Sequence, residues 1–397
     1  MSHGEHTRAV HPPAAPPVRQ TPMALPVYRS AAFSFDSAQQ YADLLDGVET
    51  GYSYSRIDNP TTDALASAVA ALEGVGLDRE VVGQPFASGM AAISTVLMTL
   101  TSTGAHVVAP RELYGGTYAL LTGVLQRFGV STTFVDGTDL EAVRAAVRPE
   151  TAVVWAETLA NPTLSVADLP GLAGIAHDAG AKLVVDATFT SPAVVRPLEH
   201  GVDVVVQSAT KYLGGHSDST GGVAVGAPEL MARVRTDRVN LGGMLAPDEA
   251  FLLQRGLATL PLRVQRHCDS ALAVATAMSE HPGIVRVDYP GLPSHRDHVL
   301  AGKLFDAGRY GGVVTVTPEG GRAEGMALCD RLRLVQVATS LAGTHSKVSH
   351  VASTTHRQLS EQALAEAGIG AGAVRISVGL EDPDDVVADL QQALDGL

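Results

Sequence analysis

Short, strongly apolar runs between residues 105 and 226 constrain the fold more than any other feature of the sequence. Runs rich in β-branched residues predict buried strands, and stretches of helical periodicity between them predict crossover helices. Strands are expected at 105–110, 132–136, 152–157, 182–188, 203–210 and 221–226, with helices near 116–128, 138–147 and 168–179. This alternation is typical of an α/β protein with a mostly parallel sheet covered by helices.

The rest of the chain predicts two further parts. Helices are expected at 61–74 and from Gly89, and after about residue 247 a long helical stretch over 248–278 precedes a new series of apolar runs. Helices are predicted there near 295–306, 323–332 and 384–395. We therefore predict an N-terminal arm over 1–60, a large domain over 61–247 and a smaller C-terminal α/β domain over 248–397. A chain of 397 residues can bury two such cores without disulfides.

Charge and cysteine content exclude several classes of function. The 28 basic and 42 acidic side chains give a net charge of −14, so no nucleic-acid partner is expected. Cys268 and Cys329 are too few for a disulfide framework, which favours a reducing, cytoplasmic location. No apolar run is long enough for a membrane span. The histidines of the Pro-rich N-terminus (His3, His6 and His11) are expected in a mobile arm, and no metal site is predicted.

Two polar clusters follow buried strands, where open α/β sheets place their ligand sites. Asp186 lies in DATFT, and Lys211 lies in SATKYLGGHSD after the next run. One interpretation is a buried salt bridge between the two side chains. The other is a pyridoxal phosphate site, in which the lysine binds the cofactor covalently and the aspartate keeps the pyridine nitrogen protonated. The motif Ser88-Gly89-Met90 favours the second, because it opens a helix whose N-terminus suits a phosphate.

Eight segments in this order resemble one enzyme family. They are YSRIDNPTTDALASAVAALEG, ASGMAAI, LYGGT, AETLANPT, VVDATF, SATKYLGGHSDSTGG, QRGLATLPLR and VRISVGLED. From about Leu25 to Asp382 the chain is similar to the trans-sulfuration (Cys/Met metabolism) family of pyridoxal phosphate enzymes. The resemblance implies pyridoxal-phosphate fold type I, which is aspartate-aminotransferase-like, with an arm that reaches a neighbouring subunit and a C-terminal domain that closes over the substrate.

The resemblance also implies roles for individual residues. Lys211 is expected to hold the cofactor and to move protons, and Tyr114 to stack on the cofactor ring and exchange a proton with the γ-leaving group or the incoming amine. The full cofactor set implied is Tyr54, Arg56, Gly89, Met90, Tyr114, Asn161, Asp186, Thr188, Ser208, Thr210 and Lys211. The substrate set implied is Asn161, Ser340 and Arg375, with Arg375 binding the α-carboxylate. Because Tyr54 and Arg56 serve the neighbouring subunit's phosphate in this family, a homotetramer built as a dimer of dimers is expected.

The sequence departs from the family where the substrate is selected. Gly116 stands where methionine γ-lyases carry a cysteine, and Thr339 stands where cystathionine-handling members carry a glutamate that reads a distal ammonium. The usual SLGG is SLAG, His345 replaces a glutamate, and Asp58 adds a negative charge near the expected entrance. These departures count against methionine and leave the γ-substituent open.

The function expected is pyridoxal-phosphate-dependent γ-elimination or γ-replacement on a homoserine-derived or sulfur-containing L-amino acid, as in cystathionine γ-synthase or γ-lyase. Water access after loss of the γ-group gives a 2-oxoacid and ammonia, whereas a thiol gives replacement. Alternatives are methionine γ-lyase or O-acetylhomoserine sulfhydrylase activity, β-elimination on cysteine-like substrates, a specialised-pathway enzyme with a non-standard substrate, and an inactive member with a binding role.

Overall fold

A computed structural model describes residues 5–10, 20–306, 308–355, 357, 360, 362, 364 and 368–397. His3, His11 and much of the Pro-rich start of the predicted arm lie outside the described residues. Helix α1 spans Glu5–Val10, and α2 spans Ala38–Leu45. Among the described residues, no helix combines the length and apolar character needed to cross a bilayer.

A seven-stranded sheet forms the centre of the large part of the protein. Its strands are β1 Val82–Phe86, β2 His106–Pro110, β3 Ser131–Val135, β4 Thr151–Glu157, β5 Lys182–Asp186, β6 Val204–Gln207 and β7 Gly222–Gly226. They are ordered β1-β7-β6-β5-β4-β2-β3. All pairs from β6 to β3 are parallel, whereas β7 is antiparallel to both its neighbours. The predicted mostly parallel sheet is confirmed.

Helices cover both faces of this sheet. They are α3 Pro60–Glu73, α4 Gly89–Leu100, α5 Gly115–Ala119, which continues as a π-helix over Leu120–Leu125, α6 Leu140–Ala146, α7 Leu169–Asp178 and α8 Pro228–Leu241. Local signals fix where two of them begin: Asn59 caps α3, which has Pro60 at its first position, and Ser88 caps α4. The apolar side chains of β4 alternate between the two faces, with Val154 in one core and Trp155 in the other.

A second, smaller sheet follows in the C-terminal part. Its strands are β8 Ile284–Asp288, β9 Val313–Pro318, β10 Gln336–Val337, β11 Lys347–His350 and β12 Val374–Ser377, in the order β10-β11-β12-β9-β8. The helices are α9 Pro247–Leu257, α10 Leu260–Ser279, α11 His298–Leu304, α12 Arg322–Arg331 and α13 Pro383–Leu394. Its core joins α10 and α13 to the buried face of the sheet. The smaller α/β unit expected after the large sheet is therefore present.

Some predicted elements have different bounds. The stretch predicted as one helix over 248–278 is two helices, because Pro261 in the first turn of α10 lacks the N–H that a continuous helix requires. The strand predicted over 203–210 ends at Gln207, so the segment that carries Lys211 is a turn.

The negative charge that Asp58 adds to the loop after Tyr54 is paired. Its carboxylate forms salt bridges with Arg235 and Arg238 of α8. Arg238 is fully buried and also donates to the carbonyl of Ile57. The loop that follows Tyr54 is therefore fixed to α8 of the same chain.

Candidate functional site

The site lies where the parallel strands end. Asp186 is the last residue of β5, and Glu157, the last residue of β4, is its register partner. Lys211 follows β6, the neighbour of β5 on the other side, with its N–H bonded to the carbonyl of Ser208. The sheet therefore brings Asp186 and Lys211 to one edge. This was expected from the sequence, because each residue lies at or after the end of a predicted strand.

Lys211 is a partly buried amine whose pKa is lowered. Its Nζ donates to Ser340 Oγ at 2.6 Å. Burial lowers the pKa of Lys211 to about 8, with help from the positive charges of Arg375 and Lys347 and against the opposing effect of Asp186. A large fraction of the amine is therefore neutral near pH 8, as a nucleophile or a base requires.

Lys211 in the cofactor-free protein should react with pyridoxal phosphate at a rate that rises with pH around a midpoint of about 8, because the neutral amine attacks the aldehyde. The growth of the visible absorption band after mixing, measured across pH 6–11, gives this midpoint. Arg375→Leu removes a nearby positive charge and should move the midpoint upward. A midpoint at the ordinary lysine value in the unmodified protein would contradict the assignment.

Asp186 and Glu157 form a buried pair of carboxyl groups. The backbone N–H of Thr188 donates to Asp186 Oδ1 at 2.9 Å, and that of Tyr114 donates to Glu157 Oε1 at 2.6 Å. Burial raises the pKa of both groups. Sequence reasoning missed Glu157, although an acidic residue at the end of the buried run AVVWAE is the same signal that identified Asp186.

A narrow cradle forms at the start of α4. A Cβ on Gly89 would lie 2.8 Å from Ser208 Cβ, so only glycine lets the two backbones approach this closely. Thr188 Oγ1 accepts the N–H of Ser208 at 2.8 Å, and Thr210 Oγ1 accepts the N–H of Gly221 at 3.0 Å. The arrangement joins backbone N–H groups of a helix N-terminus to hydroxyl groups, which is the chemistry that holds a phosphate.

The ring of Tyr114 lies against Gly116 and Met90. A Cβ on Gly116 would lie 2.5 Å from Tyr114 Cε1 and 2.9 Å from Met90 Sδ. Tyr114 is about half exposed and begins α5. The absence of a Cβ at Gly116 therefore allows the Tyr114 ring to occupy this position.

Replacing Gly116 with cysteine should displace the Tyr114 ring, because the new Cβ meets the ring inside contact distance. We expect a change in kcat of roughly 10-fold or more if Tyr114 transfers a proton, as misplaced acid–base groups lose much of their effect. Steady-state kinetics of Gly116→Cys, with Gly123→Cys as a control at an open helical position, measures it. Unchanged kinetics in Gly116→Cys would show that the ring position does not matter.

Arg375 is a buried guanidinium with neutral partners. Its Nη1 donates to Asn161 Oδ1 at 3.1 Å and its Nη2 to the carbonyl of Ser340 at 3.2 Å. Its Cζ lies 5.9 Å from the centre of the Phe189 ring, and its Nε is buried without a partner. Burial lowers the pKa of Arg375 to about 10. None of the ion pairs among the described residues includes it, so the group is suited to receive an anion.

The loop that carries Ser340 has an unusual backbone. Ser340 has φ +78° and Ala342 has φ +61°, in the left-handed region that favours glycine. Ala342 stands at the first glycine of the family's SLGG, and its N–H donates to Ser377 Oγ at 2.9 Å. The hydrogen bond to Ser377 of β12 holds this strained backbone in place. The backbone in turn fixes the position of the Ser340 hydroxyl that contacts Lys211.

None of the hydrogen bonds or ring contacts among the described residues joins Tyr54 or Arg56 to this cluster. The Arg56 guanidinium lies 5.6 Å from the centre of the Tyr54 ring and donates to the carbonyl of Val239 in α8. Tyr54 is 45% exposed. Their expected role toward a neighbouring subunit stays a prediction.

The cluster fits pyridoxal phosphate on the chemistry of its groups. The cradle at Gly89 and Ser208 suits the phosphate, the carboxyl of Asp186 suits a protonated pyridine nitrogen, and the amine of Lys211 suits the aldehyde. The Nε of Arg375, which has no hydrogen-bond partner, is a donor that a substrate anion could use. By contrast, the described residues bring together no group of three histidine, cysteine or acidic side chains that could hold a metal ion.

Comparisons with known proteins agree with this geometry. A family model described as "Cys/Met metabolism PLP-dependent enzyme" matches residues 6–395. The chain is 41% identical over 94% of its length to L-methionine gamma-lyase of Fusobacterium nucleatum subsp. nucleatum, covering 93% of that protein. It is 40% identical over 98% of its length to cystathionine gamma-synthase of Mycobacterium bovis, covering 97% of it.

A solved structure shows the same fold. It is a putative O-acetylhomoserine (thiol)-lyase from Campylobacter jejuni whose lysine carries a pyridoxyl monophosphate group, with a TM-score of 0.89 at 32% identity, covering 99% of this chain and all of that one. The two sheets found here therefore form pyridoxal-phosphate fold type I. The chain belongs to the Cys/Met metabolism family of pyridoxal-phosphate-dependent enzymes.

Proposed function

We propose that this enzyme catalyses γ-elimination or γ-replacement on a homoserine-derived or sulfur-containing L-amino acid. The observation that carries the proposal is the contact of Lys211 Nζ with Ser340 Oγ, next to a guanidinium whose protein partners are neutral. Ser340 contacts both Lys211, which can act as a base, and Arg375, which can bind a carboxylate. This combination suits the removal of a proton from an amino acid. The named activities of the relatives, a methionine γ-lyase and a cystathionine γ-synthase, support chemistry at the γ-carbon.

The cofactor is proposed to occupy the cradle between α4 and the β6 turn. Gly89, Met90, Ser208 and Thr210 would hold its phosphate, and Asp186 would pair with its ring nitrogen. Thr188 and Asn161 would flank the ring and its phenolic oxygen, respectively. When bound, pyridoxal phosphate supplies an electron sink for the electron pair left when Cα–H breaks.

Lys211 is proposed to move protons at the substrate. With cofactor and substrate bound, the neutral Nζ of Lys211 would accept the Cα proton. The lowered pKa of about 8 suits a group that accepts and returns protons near neutral pH. Ser340 Oγ would hold Nζ on the side where that proton leaves.

Arg375 and Asn161 are proposed to fix the substrate's α-carboxylate. The guanidinium faces the site from the C-terminal sheet, and its contact with Asn161 holds the two side chains together. A bidentate carboxylate would replace neutral partners with a charged one. Held by Arg375 and Asn161, the carboxylate would orient the Cα–H bond toward Lys211, so that the L-enantiomer is preferred.

Tyr114 is proposed to exchange a proton with the γ-substituent. The backbone contact with Glu157 fixes where the residue begins α5, and Gly116 gives the ring its resting place. Because Tyr114 is about half exposed, a leaving group or a thiol could reach it from the solvent. Which of these follows depends on whether water or a thiol reaches the site first.

We further propose that the protein is a homotetramer built from dimers. Residues 20–59 of the arm are mostly exposed, including the large apolar side chains Tyr28, Tyr41, Leu45 and Val48. A second copy of the chain would cover them and receive Tyr54 and Arg56 at its phosphate. Our division at residues 60 and 247, between arm, large domain and C-terminal domain, is part of this proposal. So is a cytoplasmic location, in keeping with two free, buried cysteines.

A visible spectrum followed by a substrate panel tests the proposed function. The panel is L-methionine, L-cystathionine, and O-acetyl- and O-succinyl-L-homoserine, each with and without a thiol. A band that shifts with one of them, with 2-oxobutanoate released, indicates elimination, and a thioether formed only with thiol indicates replacement. A colourless protein that pyridoxal phosphate cannot reconstitute would overturn the proposal.

A further inference from the structure

A second buried ammonium group lies beside the site and has no role in the proposed chemistry. Lys347 opens β11 and is 9% exposed. Its Nζ donates to the hydroxyl of Ser217 at 2.8 Å. Within the described part of the chain, none of the ion pairs includes Lys347. A buried cation whose partner is a neutral hydroxyl is costly and is seldom kept without a purpose.

The register of the small sheet directs Lys347 toward the site. In the antiparallel pair of β11 and β12, Lys347 lies opposite Ser377, and Ser349 lies opposite Arg375. Lys347 and Arg375 therefore leave the same face of the sheet as diagonal neighbours, with Cβ atoms about 7 Å apart in such a pair. This is the face from which Arg375 reaches Asn161.

The loop contacts place Lys347 close to the reacting lysine. A Cβ on Gly343 would lie 2.9 Å from Lys347 Nζ, and Gly343 is three residues after Ser340. The charge of Lys347 is one of the causes that lower the pKa of Lys211. Burial alone lowers the pKa of Lys347 itself, without a carboxylate to oppose it.

The site thus gathers three cationic groups, of which the proposed chemistry uses two. Lys211 reacts with the cofactor, and Arg375 receives the α-carboxylate. Lys347 is left with Ser217, on the loop that follows Lys211. We propose that Lys347 recognises a second anionic group of the substrate, so that the preferred substrate is an L-amino acid whose γ-substituent carries a carboxylate. Thr339, which is neutral, leaves a distal ammonium without a countercharge at the same loop.

This inference rests on the proposed function, and a matched pair of substrates tests it. O-succinyl-L-homoserine carries a distal carboxylate, and its monoamide has the same shape without the charge. We expect the holoenzyme to prefer the carboxylate, and Lys347→Met to reduce the ratio of the two kcat/KM values by roughly 10- to 100-fold, the effect of losing a hydrogen bond to a charged group. The loss should lie in KM, and Lys347→Arg should restore part of the ratio.

Controls separate this role from a structural one. Lys303→Met removes an exposed lysine of α11 and should leave the ratio unchanged. Equal losses for the two substrates in Lys347→Met, or a weakened cofactor band, would assign Lys347 to the loop or the cofactor phosphate and overturn the inference. The same holds if the holoenzyme turns over both substrates without preference. Absence of the cofactor band and of turnover in the unmodified protein would instead be a failure of the proposed function.

Discussion

Replacing Lys211 with alanine should abolish turnover, lowering kcat by at least about 10³-fold, because one side chain holds the cofactor and moves the proton. The variant should also lose the absorption band of the lysine-bound cofactor while still binding pyridoxal phosphate reversibly in the cradle at Gly89 and Ser208. Product formation in single-turnover and steady-state assays, with a visible spectrum of each preparation, measures both effects.

Lys303→Ala is the matched control for this experiment. It removes the same side chain from an exposed position of α11, so its kinetics and spectrum should equal those of the unmodified protein. Thermal unfolding of both variants shows that the fold is retained. If Lys211→Ala kept substantial activity, the proton transfers assigned to Lys211 would belong to another group.

Replacing Arg375 with leucine should lower kcat/KM by roughly 10²- to 10³-fold, since the α-carboxylate would lose a buried, hydrogen-bonded charge partner. The cofactor band should persist, because the cradle and Lys211 are untouched. Arg375→Lys keeps the charge but loses the planar pair of donors, so it should recover part of the loss. Steady-state kinetics with an amino acid and with its α-amide shows how much of the loss in kcat/KM is due to the carboxylate. For the amide, kcat/KM should hardly change with the substitution.

The same variant should be as stable as the unmodified protein or more so. Arg375 is 5% exposed and its partners are neutral, so without a substrate the folded protein bears the free-energy cost of a buried charge. Leucine removes that cost, but it also removes the hydrogen bond to Asn161, which opposes the gain in stability. Thermal unfolding in the absence of substrate measures the net change in stability. A large loss of stability in Arg375→Leu would mean that the guanidinium supports the fold and that its kinetic effect is indirect.

The centre of the fold could be predicted because the strands from β2 to β6 are apolar runs and buried parallel strands need such runs. β1 escaped prediction because Gly83, Gln84 and Pro85 interrupt its apolar pattern, and proline is tolerated there since β1 is an edge strand. α8 escaped because its charged sequence has little apolar periodicity. Its arginines instead hold the Asp58 loop.

The site was predictable where a motif carried chemistry and less so where contacts depend on folding. Asp186 and Lys211 follow strands, so their proximity could be inferred from the sheet. Glu157 and Lys347 reach the same region from the ends of β4 and β11, and one polar residue in an apolar run does not show which neighbours it meets. The role proposed for Tyr54 and Arg56 toward a neighbouring subunit stays a prediction, because one copy of the chain does not contain the surface that they would meet.

The salt bridges of Asp58 affect how copies of the chain would meet. Because Arg235 and Arg238 hold the loop after Tyr54 within its own subunit, the conformational entropy of that loop is lost during folding of the monomer. Association would then join two preformed surfaces and would not have to order a disordered segment. The encounter rate would depend on diffusion and orientation, and the neighbouring phosphate site would be complete as soon as the subunits dock.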